Sequence, residues 1–378
     1  MAILNEEQTM LRDAAKAWVT QKSPVGAFRK LRDSGAIDGF DPAVWAEIGD
    51  LGWAGILVPE NDGGSGLGYL TMGLVLEEMG RTLTASPLLS SALGAVTALL
   101  LAGSDAQKSE WLPKLASGQA IGTLAVDEGA HHAPEAIALT ATRQGSGWSL
   151  SGRKTFVLDG GAADLLIVAA RSSGKAGDTH GITLFLVPGP AKGVTRQKLR
   201  SVDSRGVADI AFDHVELGAD AVLGAPDQGF SVLDATLDRM RAGLAAEMLG
   251  AAAQSFDITL EYLKTRTQFG QVIGTFQALQ HRAAKMYTEL ELSRSCIEAA
   301  LDAIDRNAND IPSLVSLAKT RANDTWHLVS NEMVQMHGGI GMTDAHDAGL
   351  YIKRARVAEA AYGNSAFHRD RYARLNGY

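Results

Sequence analysis

The chain has 378 residues, a formal net charge of −8 and an isoelectric point of about 5.6. Hydrophobic residues make up 46% and charged residues 21%, which is the balance of a globular protein long enough for two or three domains. The acidic charge argues against a nucleic-acid-binding protein, since such a protein would carry a basic patch or stripe. The single cysteine, Cys296, excludes an intrachain disulfide and a CxxC metal site, which favours a reducing, cytoplasmic location.

No targeting or membrane segment is expected. The N-terminus leads into a polar helix start rather than a signal peptide. The stretch 82–104 carries no charged residue, but its apolar part, 88–101, is too short to span a bilayer. We therefore expect a buried core helix there and no membrane span.

The spacing of apolar residues changes twice along the chain, from a helical to a strand-like pattern and back, and this predicts three domains with an α+β organisation. Residues 1–118 show helical spacing of apolar residues, with helices expected at 42–53 and 69–80. Residues 119–224 contain short β-branched runs separated by Gly and Ser turns, and no helices lie between them. That pattern is typical of an antiparallel barrel or sandwich.

Residues 225–378 return to helical spacing. Four long helical segments are expected, with breaks at Gly270, at Pro312 and at the glycine pair 338–339; they cover 228–265, 275–306, 312–337 and 347–362. Long helices with short connections predict a helix bundle as the C-terminal domain.

Two patterns in this C-terminal part are more specific than composition. The first has the form YxxxRxxFGxxxxxFQ over residues 262–277, and the second has the form QxxGGxG over residues 335–341. Both resemble the acyl-CoA dehydrogenase family. Residues 53–60 resemble the N-terminal loop of that family, and residues 148–154 resemble its β-domain hairpin. The resemblance thus runs in order over nearly the whole chain.

The resemblance implies a fold with an N-terminal helical domain, a central antiparallel β-barrel domain and a C-terminal four-helix bundle. FAD would lie between the domains and across a subunit interface. An acyl-CoA would be oxidised to the 2,3-enoyl-CoA, as a base removes the pro-R α-proton and the β-hydride passes to flavin N5. The implied electron acceptor is an electron-transferring flavoprotein, and the implied assembly is a homotetramer or an α2β2 heterotetramer.

The cofactor-binding residues that the resemblance implies combine charged, aromatic and amide groups. An arginine can offer two parallel donors to the FAD pyrophosphate, a phenylalanine can pack on the adenine, and glycines let the backbone approach closely. In the family, several of these groups reach the FAD of a neighbouring subunit. The residues at these positions are Arg266, Phe269, Gln277, Gln335, Gly338, Gly339, Phe156 and Asn364.

The usual positions of the catalytic base depart from the family pattern. Counting 24 residues past Gly338, where the family usually has a glutamate, gives Tyr362. Some members instead place the glutamate directly before a helix arginine; that arginine is Arg241 here, and the residue before it is Met240. A tyrosine with an ordinary pKa of about 10 is a poor base at neutral pH. We expect these three residues to line the substrate site, where Arg241 supports either the thioester end or the helix architecture.

Glu247 is the best candidate for a base within the chain. It lies seven residues after Met240, and positions seven apart share one face of a helix. Burial in the apolar run 242–253 would make it a stronger base. A solvated surface glutamate is the alternative. Asp238 is a weaker candidate, because it can pair locally with Arg241.

The β-domain departs from the family pattern as well. Residues 126–132 replace the family's flavin-facing segment, and Leu158 cannot supply the hydroxyl often found at its position. Phe156 stands in place of a tryptophan and can still pack against the isoalloxazine. The pair His131 and His132 is expected in a solvated turn rather than at a metal, since no third ligand is apparent.

Residues 346–355 and 363–369 resemble family members that form one subunit of a two-gene, α2β2 dehydrogenase acting on bulky acyl-CoAs, including steroid side chains. Three interpretations follow. The chain is an FAD-dependent acyl-CoA dehydrogenase of fatty-acid or steroid side-chain degradation, alone or as one subunit. It is a non-catalytic partner that completes the FAD site of another polypeptide. Or it is a flavin oxidase or monooxygenase on the same fold.

Overall fold

The structure is a computed structural model that describes residues 4–378. The chain divides into two compact units. The first unit contains the residues up to 29 together with 69–84 and 241–378, and the second contains 30–68 and 85–240.

Eleven α-helices lie within residues 4–378, and most of them lie where helical periodicity predicts them. They are α1 (Glu6–Lys22), α2 (Val25–Ser34), α3 (Pro42–Asp50), α4 (Gly68–Arg81), α5 (Val96–Ala102), α6 (Asp105–Ala116), α7 (Gly229–Thr265), α8 (Gln277–Asp305), α9 (Ile311–His337), α10 (Ala348–Ala360) and α11 (Ser365–Leu375).

Helix α9 is the centre of the first unit, because α8, α10 and α11 all pack against it. Its buried apolar residues recur three or four positions apart, as they must to keep one stripe inside. Helix α4 crosses α7 so closely that a Cβ atom at Gly80 would overlap the Glu247 carbonyl, and one at Gly250 would overlap the Glu77 carbonyl. The two glycines therefore set how near these helices lie.

The second unit holds the β-structure. Its strands are β1 (Gly122–Ala125), β2 (Thr140–Gln144), β3 (Gly147–Leu158), β4 (Leu165–Arg171), β5 (Ile182–Pro188), β6 (Val194–Arg200), β7 (Gly206–Leu217) and β8 (Val222–Leu223). They form one sheet in the order β6-β7-β3-β2-β4-β5-β8, with β1 paired to β4.

The prediction of a closed antiparallel barrel is wrong. Strand β1 runs parallel to β4, and β2 meets β4 in parallel at Thr140 and Arg171. Within the described residues the end strands β6 and β8 pair only with β7 and β5, so the sheet stays open. Residues in β6 are mostly exposed or half-buried, which is the pattern of a solvent-facing edge rather than of a closing strand.

The uncharged stretch near residue 90 is a buried element, as the sequence predicts. Residues Leu88–Ala95 form a π-helical segment that leads into α5, and every residue of that segment is buried. Within residues 4–378 we find no helix whose length and hydropathy would suit a bilayer crossing.

Candidate active site

A two-residue hairpin follows α7 and carries the first of the two C-terminal motifs. Strand β9 (Thr267–Gln268) pairs with β10 (Gln271–Val272), and Phe269 and Gly270 form the turn. Both turn residues have positive φ, +54° and +77°, which is the requirement of a type I′ turn. Phenylalanine is a poor choice for such a position, whereas glycine or asparagine suits it. A non-glycine residue in this region is strained, and strained residues cluster at binding and catalytic sites.

The hairpin presents exposed recognition groups. The Phe269 side chain is 91% exposed, and its ring lies edge-on to Phe276 at a centroid distance of 6.2 Å. Arg266 and Gln277 flank the hairpin and are also exposed. Within residues 4–378, no side-chain hydrogen bond or ion pair engages the Arg266 guanidinium. A free guanidinium beside an exposed aromatic ring fits the pyrophosphate and adenine of FAD.

The second motif lies next to the first within the same unit. Tyr262 stacks on His337 at a centroid distance of 4.4 Å, and His337 directly precedes the glycine pair. Gly338 has a φ of +62°, and no atom lies within 4 Å of a Cβ built at Gly338 or Gly339. Gln335 is exposed one turn earlier. The structure thus places the two motifs side by side through Tyr262 and His337, with open space over the backbone of Gly338 and Gly339.

Phe156, in the second unit, resembles Phe269 in being an exposed phenylalanine at a positive φ. It has a φ of +51° and is 60% exposed. It lies at an irregularity in the pairing of β3 with β7, between Lys154 and Val157, and such bulges redirect a side chain out of the regular pleat. An exposed aromatic ring on strained backbone suits the flavin contact that the sequence predicts.

The segment 126–132 departs in sequence from the family but is held firmly. Burial lowers the pKa of Lys154 to about 8, and the neighbouring Glu128 carboxylate opposes part of that shift. The Lys154 ammonium donates to the Val126 carbonyl at 2.8 Å and to Glu128 Oε1 at 2.7 Å. The same carboxylate accepts hydrogen bonds from the backbone of Ala138 and Leu139. This network fixes the segment onto β3, and sequence reasoning did not predict it.

The expectation of a solvated turn holds for His131 but not for His132. The His132 side chain is 3% exposed, and its Nδ1 lies 2.9 Å from Asp127 Oδ2. His131 is exposed. Within the described part of the chain, no cluster of three or more potential ligands is suited to a metal ion.

Of the residues at the two usual base positions, Met240 is fully buried in the second unit. A Cβ atom at Gly94, in the π-helical segment, would lie 2.9 Å from the Met240 sulfur. The thioether therefore fills a tight space between helices, as methionine does in irregular cores. No proton acceptor stands at this position.

Tyr362 lies in a strained connection between α10 and α11 in the first unit. Its φ is +55°, and the following Gly363 has a φ of +112°. Arg241 Nε donates to the Tyr362 carbonyl at 3.1 Å, and the fully buried Arg241 guanidinium also lies over the Phe367 ring. Of the two roles expected for Arg241, these contacts favour support of the helix architecture and of this connection.

Asn364 ends the same connection and caps α11, because its side-chain oxygen accepts a hydrogen bond from the Phe367 backbone at 2.9 Å. That contact uses one side-chain oxygen and leaves the residue exposed. A contact between Asn364 and the cofactor stays a prediction.

Glu247 is buried on α7, so the alternative of a solvated surface glutamate is wrong. Its carboxylate is paired, however: Arg354 of α10 donates to Glu247 Oε1 from Nε at 3.0 Å and from Nη2 at 2.9 Å. The two side chains are 9% and 7% exposed. The carboxylate is thus held by a guanidinium that sequence spacing did not predict.

The sequence did not predict that three further charged residues are buried: Lys154, Lys319 and Arg354. Each stands on an element whose apolar neighbours are buried. A charged residue in register with a buried stripe is the signal that would have identified them. Their partners come from distant parts of the chain, which local pattern does not reveal.

Comparison with known proteins identifies the family of this chain. Residues 5–119, 126–215 and 227–375 match the N-terminal, middle and C-terminal domains of acyl-CoA dehydrogenase. The chain belongs to the acyl-CoA dehydrogenase family. Members of this family are FAD-dependent oxidoreductases that act on the CH–CH group of an acyl-CoA.

Several relatives illustrate the range of that family. The chain is 32% identical to the mitochondrial isovaleryl-CoA dehydrogenase of Pongo abelii, with 97% of this chain and 88% of that protein aligned. It is similar to a steroid ACAD variant of known structure, with 30% identity, a TM-score of 0.88 and 98% of each chain covered. It is also similar to a chain of the ChsE4-ChsE5 complex from Mycobacterium tuberculosis, with 26% identity, a TM-score of 0.90, and 100% and 99% of the chains covered.

Proposed function

We propose that this chain is one subunit of a heteromeric, FAD-dependent acyl-CoA dehydrogenase. In this proposal it completes the FAD site of a partner polypeptide, and the partner supplies the catalytic base. The substrate is an acyl-CoA with a bulky acyl group of the steroid side-chain type, and the electron acceptor is an electron-transferring flavoprotein. A cytoplasmic location accords with the single thiol, Cys296.

The observation that carries the proposal is a contrast between the predicted FAD-binding residues, called here the cofactor side, and the predicted positions of the catalytic base, called here the proton side. On the cofactor side, Arg266 and Phe269 are exposed, and open space lies over the backbone of Gly338 and Gly339. On the proton side, Tyr362 and Met240 stand where the family places a glutamate, and the Glu247 carboxylate is paired with Arg354. Within residues 4–378, the predicted FAD-binding groups Arg266 and Phe269 are exposed, whereas none of the three predicted base positions, Met240, Tyr362 and Glu247, offers an unpaired carboxylate.

The proposed division of labour follows from the chemistry. Arg266 would neutralise the pyrophosphate, Phe269 would pack on the adenine, and Gln335 would donate amide hydrogen bonds. Gly338 and Gly339 would admit the cofactor against the backbone. When bound, FAD accepts the β-hydride of the acyl-CoA. The remaining requirement is removal of the α-proton, and it needs an unpaired base near the thioester.

The test is to purify the chain alone and together with its genomic neighbour. We expect the chain alone to be colourless and unable to oxidise an acyl-CoA. The co-purified complex should be yellow, and its flavin band should bleach anaerobically with acyl-CoA. A chain that is yellow and active by itself would overturn the proposal of a partner.

A second candidate is a self-sufficient enzyme in which Glu247 is the base. Its burial on α7, two turns past Met240, is the observation that favours it. For this role the carboxylate would have to leave Arg354 when substrate binds. Glu247→Gln would then abolish flavin reduction by acyl-CoA while FAD stays bound, and an unchanged bleaching rate would exclude it.

A further inference from the structure

Lys319 is a fully buried ammonium within the first unit. It lies in the third turn of α9 and is 0% exposed. Its Nζ donates to Asn323 Oδ1 at 2.7 Å, to the Ala358 carbonyl at 3.0 Å and to the Gly363 carbonyl at 3.3 Å. The Asn323 amide reaches the same Gly363 carbonyl at 3.5 Å. Burying a charged amine is costly unless its hydrogen bonds are satisfied, and here each donor has a partner.

The geometry matches the protonated amine. An ammonium has three N–H donors and no acceptor, and the three groups around it are all oxygen acceptors. A neutral amine would offer only two donors and would turn a lone pair toward one oxygen. The longest contact, to Gly363, is the one that deprotonation would lose first.

Two of these contacts bracket the connection that carries Tyr362. Ala358 lies in the last turn of α10, and Gly363 follows Tyr362 directly. Arg241 holds the carbonyl between them, that of Tyr362, and His368 Nε2 lies 3.2 Å from the same oxygen. Tyr362, a non-glycine residue at a φ of +55°, is strained, and such backbone persists only where its surroundings hold it.

We propose that Lys319 is a positioning residue that holds the 361–364 connection through the Gly363 carbonyl and thereby sets where the Tyr362 side chain stands in the acyl-CoA site. The assignment of Tyr362 to that site rests on the proposed function. The hold of Lys319 on the backbone does not depend on it.

Burial of Lys319 and the charges around it make its hydrogen bond to the Gly363 carbonyl sensitive to pH. Burial lowers its pKa to about 7; Arg241 and Arg354 lower it as well, and Glu359 opposes them. Glu289 of α8 pairs with Arg321 of α9, and Arg321 lies about 200° around α9 from Lys319, so this ion pair does not face the amine. The other titratable groups beside the connection, on α11, are His368 and Arg371.

Hydrogen exchange of the connection tests the proposal without substrate or flavin. On the purified full-length protein, the amides of Ala361, Gly363 and Phe367 would be followed by mass spectrometry at about pH 6 and about pH 8.5, with the intrinsic rate divided out at each pH. When the connection opens locally while Lys319 stays buried, the ammonium loses a charged hydrogen bond to Gly363 and the pKa of Lys319 falls further, whereas global unfolding would expose Lys319 and raise its pKa. For this local opening we expect protection of the segment to fall about tenfold or more between the two pH values, because a charged hydrogen bond of about 1.5–3 kcal/mol corresponds to about 10- to 150-fold at 1.36 kcal/mol per factor of ten.

Two variants sharpen the test. Lys319→Met should exchange fast at both pH values, and Lys353→Met, an exposed lysine on α10, should behave as wild type. Unchanged protection of the wild-type connection across the pH range would overturn the proposal, as would full protection in Lys319→Met at about pH 6. If Lys319→Met does not fold, the wild-type pH series decides alone. The exchange measurement needs no dehydrogenase activity. The proposal about Lys319 and the proposed function can therefore fail independently.

Discussion

Glu247 and Arg354 form an ion pair in which both partners are nearly fully buried. Protonating Glu247 would leave Arg354 charged and uncompensated. Loss of one partner of such a pair costs about 3–5 kcal/mol. That cost falls on any step in which Glu247 takes up the substrate α-proton, so we assign this carboxylate to the packing of α7 against α10.

This assignment predicts that Glu247→Gln lowers stability more than it alters chemistry. We expect the midpoint of thermal unfolding to fall by several degrees, while the flavin of the assembled complex is still reduced by acyl-CoA. Replacing both partners, with Glu247→Leu and Arg354→Met, should recover most of the stability, because no charge is left buried alone. A Glu247→Gln protein that unfolds like wild type but cannot reduce its flavin would identify Glu247 as the base.

Lys154 gives a prediction about stability and pH. Its pKa in the folded chain is lowered to about 8, below the unfolded value of about 10.4. Between these values the unfolded chain holds a proton that the folded chain has released. Stability therefore rises with pH across this window.

The measurement is the unfolding free energy of wild type and Lys154→Met at about pH 8 and about pH 10. We expect the variant to lose the part of the rise that Lys154 contributes. Lys175→Met, at an exposed lysine of the same unit, should keep it. Equal slopes in wild type and Lys154→Met would contradict the lowered pKa of this amine.

At the scale of elements, Phe269 in the hairpin β9–β10 destabilises the turn but supplies the ring that is proposed to contact FAD. Phe269 occupies a left-handed turn position that asparagine would fill with less strain. We expect Phe269→Asn to unfold at the same or a higher temperature and to weaken FAD retention in the assembled complex. The FAD content per protein after gel filtration measures this. Retention at the wild-type level would show that the ring does not contact the cofactor.

The crossing of α4 and α7 leads to a second prediction at this scale. Gly250→Ala would place a methyl group on the Glu77 carbonyl, and overpacking of this kind costs about 1–3 kcal/mol or more. Gly349→Ala in α10 meets open space and should be neutral or slightly stabilising. Chemical denaturation of the two variants checks the contrast, and equal midpoints would contradict a close crossing.

The same scale shows how much the sequence could predict. Helices α3, α4, α7, α8 and α9 lie close to their predicted ranges, because one buried stripe per helix is a local signal. Strands β4 and β5 follow in the same way from their β-branched runs. The sheet topology did not follow, since the parallel pairing of β1 with β4 joins residues about forty positions apart and leaves no mark on either strand.

The candidate site was predictable in part for a related reason. Arg266, Phe269 and the glycine pair belong to contiguous motifs, and the structure places the two motifs side by side through Tyr262 and His337. The partners of Glu247 and Lys319 depend on packing between helices, which residue spacing does not encode. The three-domain boundaries and the roles of the site residues stay predictions.

At the scale of the whole molecule, we propose that this chain contributes FAD-binding groups to an assembly in which a partner contributes the catalytic base. In the proposed assembly, the exposed groups Arg266 and Phe269 meet an FAD whose remaining contacts come from another polypeptide. The buried positions of this chain at Met240 and Glu247 are filled by packing and pairing. In such an assembly, fold and cofactor recognition are shared, and the proton chemistry is assigned to one subunit.

The need of this chain for a partner can be measured by the flavin spectrum of the complex during anaerobic acyl-CoA addition, compared with that of the chain alone. We expect a colourless, inert chain and a yellow complex whose flavin band bleaches with acyl-CoA even when this chain carries Glu247→Gln. A yellow chain that bleaches on its own, and that stops bleaching in Glu247→Gln, would contradict it.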